Sequence, residues 1–113
     1  MSYLLAGQLS EIERLRLQSR VWELAGERLL TSLGAGSGQR VLEVGCGVMG
    51  WLGWLSRWAG ERGVVIGTDI ANHLLDAARL YCAESRLPNV TLLQDDFFAT
   101  LHQIAREAAF IER

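Results

Sequence analysis

Proline occurs once in this chain, at Pro88, and cysteine twice, at Cys46 and Cys82. Two cysteines without a metal-ligand or disulfide spacing exclude a disulfide-stapled scaffold and a thiolate metal site, so none is expected. They read as free thiols of a cytoplasmic protein. No run approaches the ~18 apolar residues of a membrane span, and no signal peptide is visible, so no membrane partner is expected. Charge of one sign is also scarce: the net charge is −2. Arg14, Arg16 and Arg20 lie about a turn apart and read as a solvated helix face, not a nucleic-acid patch. Disorder is excluded in turn, because half the residues are apolar. Internal repeats and low-complexity tracts are lacking. His73 and His102 are lone histidines with surface or packing roles. At 113 residues the chain holds at most one small domain with a modest core.

What is present is concentrated in residues 41–69. A first strand over about Arg40–Val44, with the apolar run Val41-Leu42-Glu43-Val44, leads into Gly45, Gly47 and Gly50 at GxGxxG spacing. An apolar helical stripe follows, Trp51, Leu52, Trp54, Leu55 and Trp58, whose tryptophans read as core. A second apolar strand, Val64–Thr68, ends in Asp69. This is the layout of a nucleotide-binding β-α-β unit. Glycines let the loop turn tightly and approach a ligand. Asp69 at the second strand's tip can accept from both hydroxyls of a ribose, so the ligand carries an adenosyl group.

Glu43 separates the adenosyl ligands. A dinucleotide rests its pyrophosphate on the loop and the helix N-terminus. A carboxylate two residues before Gly45 repels that anion. S-adenosylmethionine has no phosphate and brings a sulfonium and an ammonium, which tolerate the acid.

Around this unit the chain reads as strands and helices in alternation. Ser10 and Glu13 form a capping box that predicts a helix start. Ile12, Leu15, Trp22, Gly26, Leu29 and Leu33 keep one helical face down to Gly34. Helices are expected over about 48–60, 72–86 and 101–111, and a third strand over Val90–Gln94. The second of these helices would turn Leu74, Ala78, Tyr81 and Cys82 inward; the last, Leu101, Ile104, Ala105 and Ala108. Pro88-Asn89 stops the helix before the third strand. The predicted fold is α/β: a three-layer Rossmann-like parallel sheet, strand order 3-2-1, with helices on both faces and a leading N-terminal helix. Residues 1–36 form the helical segment and 37–113 the partial binding domain.

The sequence resembles the class I S-adenosylmethionine-dependent methyltransferases. VLEVGCGVMG is similar to their first motif, VVIGTDI to their second, and NVTLLQDDF to the strand that follows. Tyr3-Leu4-Leu5 with Glu11, Arg14, Leu15 and Gln18 resembles the leading helices of a small-molecule subset. The family more often places its third glycine where this chain has Met49. The resemblance implies S-adenosyl-L-methionine as cofactor and a small-molecule methyl acceptor. It implies that Gly45, Cys46 and Gly47 meet the methionine moiety, with Glu43 beneath. Asp69 takes the ribose and Ile70 one adenine face. Asp96, or Asp95 next to it, accepts from the adenine amino group, with Phe97 stacking nearby. Tyr3 and Gln18 close over the cofactor. No residue is assigned to catalysis, and no metal is implied. The full family domain carries more strands than three, so the chain is expected to be its truncated cofactor-binding half. The first strand, inner in sequence, then lies at an edge, which predicts a homodimer or higher oligomer. The rival readings are a nicotinamide dehydrogenase fragment and a non-catalytic, self-associating half-domain.

Overall fold

A computed structural model describes the backbone of residues 2–112; the side chains of residues 2–8, 104 and 107–112 lie outside the described set. The elements run α1 (Ser2–Val21), α2 (Glu23–Ser32), β1 (Arg40–Val44), α3 (Leu52–Ala59), β2 (Val64–Asp69), α4 (Asn72–Glu84), β3 (Val90–Gln94) and α5 (Phe97–Glu112). The three strands are parallel, in the order β1-β2-β3. In register, Val41 and Glu43 lie beside Val65 and Gly67, which lie beside Val90 and Leu92. The expected order and strand positions are therefore found.

Each crossover from strand to parallel strand is right-handed as a rule. Two successive crossovers in one direction put α3 and α4 on the same face. That face carries Val41, Glu43, Val65, Gly67, Val90 and Leu92, all buried or half-buried. Leu52, Leu55 and Ala59 from α3 and Leu75 and Ala78 from α4 close the core over it. Burying each such leucine is worth about 1.5–3 kcal/mol. Gly67 allows the close approach: a Cβ there would stand 3.0 Å from Leu52 Cδ2 and 2.9 Å from Leu92 Cδ2.

The other face carries Leu42, Val44, Ile66 and Leu93, and its cover is thin. Leu42 is 60 % exposed and Leu93 49 %. Among the described side chains, the first turn of α5 reaches it, where Phe97 and Phe98 share a pocket with Val44 and Thr68 at its C-terminal rim. Cover on the two faces is thus unequal.

Several boundaries differ from expectation. Ser10 lies inside α1, so the Ser10–Glu13 pair does not start a helix; the ladder is already running from Ser2. The leading helix also breaks at Trp22, whose N–H turns back to Ser19 O at 3.2 Å. Gly34, at φ +90°, ends α2 as expected. On α4 the buried position is Leu75 and not Leu74, together with Ala78, while Tyr81 and Cys82 pack alongside. That helix stops early, at Glu84, because Arg86 takes φ +54° and Leu87 N–H returns to Cys82 O at 3.0 Å. Helix α5 starts four residues before 101, and its expected inward face is not inward: Leu101 and Ala105 are exposed. Ile104 and Ala108 lie outside the described side chains.

Asn89 ties the bottom of the fold together. Its Nδ2 donates to Ser56 O at 3.0 Å and Gly60 O at 2.9 Å, and its Oδ1 accepts from the Ser56 hydroxyl. One side chain thereby satisfies the carbonyl end of α3 and fixes where β3 begins.

Candidate functional site

The strands deliver their C-terminal ends to one edge, where the 45–51 loop and the start of α5 converge. Gly45, Gly47 and Gly50 adopt φ of +69°, +59° and +47°. Such values favour glycine. The loop is held from both flanks. Cys46 N–H donates to Thr68 O at 2.9 Å, and Trp51 N–H to Glu43 Oε1 at 2.8 Å. A Cβ on Gly50 would collide with that same Glu43 oxygen, so Gly50 is required here and not at Met49. Gly50 at φ +47° is left-handed, so α3 starts at Leu52 and not near 48.

Asp69 does two jobs within the protein. Its Oδ2 accepts from Gly47 N–H at 3.0 Å and its Oδ1 from Ala71 N–H at 2.9 Å. It clamps the glycine loop to β2 and starts the turn into α4. Each oxygen keeps a further lone pair.

Two cavities flank the loop, and Gly45 lines both. The first, about 350 Å³, is bounded by Glu43, Gly45, Cys46 and Gly47 below and by Leu15, Gln18 and Trp22 from the helical segment. The second, about 260 Å³, is bounded by Asp69, Ile70, Asp95, Asp96, Phe97 and Phe98. Every sequence-predicted site residue whose side chain is described lies on one of these two walls. Tyr3 falls outside the described side chains. Ser19, Trp22, Thr68 and Phe98 were not expected. Trp22 was read only as part of a periodic helical face; Leu15, Gln18, Ser19 and Trp22 line the cavity at that same helical spacing.

The two aspartates after β3 are engaged locally. Asp96 Oδ1 accepts from Phe98 N–H at 3.1 Å and caps α5. Asp95 accepts from the Thr100 hydroxyl at 2.7 and 2.8 Å. Phe97 and Phe98 meet edge to face at 5.8 Å.

Glu43 is the electrostatic anomaly. Its Oε2 is buried with no hydrogen-bond partner among the described residues. Burial pushes its carboxyl up to about 7, against the opposing pull of the Trp51 N–H. Burial also pushes the Cys46 thiol up to about 12, helped by Glu43, Asp69 and Cys82. The Cys82 thiol is raised by burial first and by Glu43 second. Both cysteines are free thiols. His73 sits on the surface, 3.4 Å from Glu11.

A glycine-turned β-α-β loop, an acid at the second strand's tip and a cavity on each side define a nucleotide-type binding half-fold. Residues 41–110 match the family described as "Methyltransferase domain", and the chain belongs to it. A solved S-adenosylmethionine-dependent methyltransferase from Aquifex aeolicus is 31 % identical, with a TM-score of 0.69 over 77 % of this chain and 46 % of its own. A protein-L-isoaspartate O-methyltransferase is 27 % identical, with a TM-score of 0.56 over 62 % of this chain and 22 % of its own. A TehB-like S-adenosylmethionine-dependent methyltransferase from Corynebacterium glutamicum is 26 % identical, with a TM-score of 0.51 over 77 % and 46 %. The chain thus spans less than half the length of these structures. No curated protein matches it.

Proposed function

We propose that the chain is the cofactor-binding half of an S-adenosylmethionine-dependent methyltransferase that acts on a small-molecule acceptor. The observation that carries the cofactor choice is Glu43, an acid that lines the first cavity and whose buried Oε2 has no hydrogen-bond partner among the described residues. It fits a ligand that brings positive charge and no phosphate. The glycine loop fits as well: a Cβ on Gly45 or Gly47 would meet nothing within 4 Å, so the loop faces open space.

The two cavities divide the work. Glu43, with the Gly45, Cys46 and Gly47 backbone, would hold the methionine moiety. Gln18, and Tyr3 from the same helix, would close over it. Asp69 would take the ribose with the lone pairs its loop bonds leave. Ile70 and Phe97 would sandwich the adenine, and Asp96 or Asp95 would accept from its amino group. The cofactor supplies an electrophilic methyl on a sulfonium with a good leaving group. The protein's contribution is then to hold acceptor and methyl in line at short range. A general base is needed only for an acceptor that carries a proton to lose. The acceptor's smallness rests on the leading-helix resemblance. Cytoplasmic placement and a homodimer or higher oligomer belong to the same proposal. No described helix is long and apolar enough to cross a membrane.

Calorimetry with S-adenosylhomocysteine and with a nicotinamide dinucleotide tests the reading. Binding of the first and not the second is expected. Dinucleotide binding alone would establish the dehydrogenase rival.

A further inference from the structure

Gly26 lies inside α2, where glycine is less favourable than alanine. Its backbone is helical, so no turn calls for it. It is buried, and a Cβ there would stand 3.0 Å from Trp51 Cε2 and 3.2 Å from Cδ2 and Cζ2. Carbon atoms pack best about 3.5–4.0 Å apart, so any side chain at 26 would crowd the indole. The glycine lets α2 lie directly against the Trp51 ring.

A larger residue has two ways to relax. Either the indole gives way or α2 lifts from α3. Both reshape the first cavity, because Trp51 lines it from the loop and Trp22, one turn before Gly26, lines it from the helical segment. Gly26 N–H donates to Trp22 O at 2.9 Å, so those two positions are tied. Leu15, Gln18 and Ser19 line the same cavity from α1. On the loop side Trp51 is tied as well, since its N–H donates to Glu43 Oε1 at 2.8 Å. Gly26 and Trp51 thus meet where the helical segment and the glycine loop join.

We infer that Gly26 is a positioning residue: through its contact with Trp51 it sets how closely the helical segment sits over the first cavity, and so how tightly that cavity holds the methionine end of the cofactor. The role in binding rests on the cofactor proposed above; the role in spacing does not.

Calorimetry with S-adenosylhomocysteine tests the first role on the 113-residue chain. Gly26→Ala should weaken binding at least about threefold and Gly26→Leu at least about tenfold, the worth of one misplaced hydrogen bond. Far-ultraviolet circular dichroism should be unchanged. If Gly26→Leu fails to fold, Gly26→Ala decides. In a Trp51→Leu background, which lacks the ring, Gly26→Ala should no longer weaken binding. The indole N–H signals of the ligand-free chain in nuclear magnetic resonance test the second role. Gly26→Ala should shift both Trp22 and Trp51 and leave Trp58, whose indole donates to Gly34 O at 3.0 Å, in place. A wild-type chain that binds no S-adenosylhomocysteine would sink the cofactor reading, and the indole signals would still decide the spacing. An unmoved Trp22 signal, unaltered affinity in the folded variants, or an equal loss without the Trp51 ring would overturn the inference.

Discussion

Val64 and Val65 are neighbours on β2, yet Val65 is fully buried and Val64 is exposed. The same split runs along β1 and β3. Composition does not cause it, since both faces of the sheet are apolar. Chain direction does: both crossovers turn the same way, so α3 and α4 land on one side. The two faces are alike in residue type and unequal in cover: on the second, Leu42 and Leu93 are exposed while Thr68 is buried. The difference teaches which contacts hold the fold and which contribute little to it.

Four measurements break or sharpen that contrast. The largest effect should come from Leu52→Ala, beneath the covered face, where a wholly buried side chain leaves a cavity. A loss of about 2–5 kcal/mol is expected in urea unfolding. Loss below 1 kcal/mol would mean the core is loosely packed.

Next comes Glu43, the acid of β1 on the covered face. Its folded-state carboxyl lies near 7 and its ordinary value is 4.5. Between those values the folded state binds more protons than the unfolded state. Stability should therefore fall as pH rises from about 4.5 to 7, by on the order of 2–3 kcal/mol. Glu43→Gln should flatten that fall. A parallel pH profile for both proteins would show that Glu43 ionises freely.

Third is Asp69→Ala. Charged hydrogen bonds to a ribose are worth roughly 1.5–3 kcal/mol each, so S-adenosylhomocysteine affinity should drop at least ~10-fold. The loop clamp to Gly47 is lost as well. Asp69→Asn, which keeps an acceptor for that N–H, should recover part of the affinity. Unaltered binding in the alanine variant would reduce Asp69 to an internal clamp.

The smallest effect belongs to the open face. Leu42→Ala should shift unfolding by no more than ~0.5 kcal/mol at concentrations where the chain is monomeric. A cost near that of Leu52→Ala would mean that something already covers Leu42.

Much of this was legible in the sequence. β1 and β3 lie at their predicted residues, because short apolar runs between glycine or proline signals leave a strand little room to move. The 45–50 loop was visible in its glycine spacing. The helix starts were less so. Ser10 and Glu13 make a good capping box, but a cap signal cannot be seen to be idle when the helix already runs through it. Trp22 was legible as part of a helical face with Leu15, but periodicity does not say that the face lines a cavity. Asp96 could be read as a strand end, an adenine acceptor or a cap; only geometry shows its bond to Phe98 N–H. The near-continuous apolarity of β1 predicted cover on both sides; helices lie on both faces of the sheet, with α3 and α4 on one and the start of α5 on the other.

Cys46 has one more consequence. The glycine loop carries a sulfur nucleophile beside the cavity assigned to a methylating agent. Thiols attack as thiolates. With its acidity pushed to about 12, the Cys46 side chain is ionised in roughly one molecule in 10⁵ at neutral pH. Its Sγ is also turned toward Gly67, within the core. Burial that serves packing thus spares the loop from alkylating itself. The same burial would leave Cys46 silent to maleimide, while the more accessible Cys82 would label first.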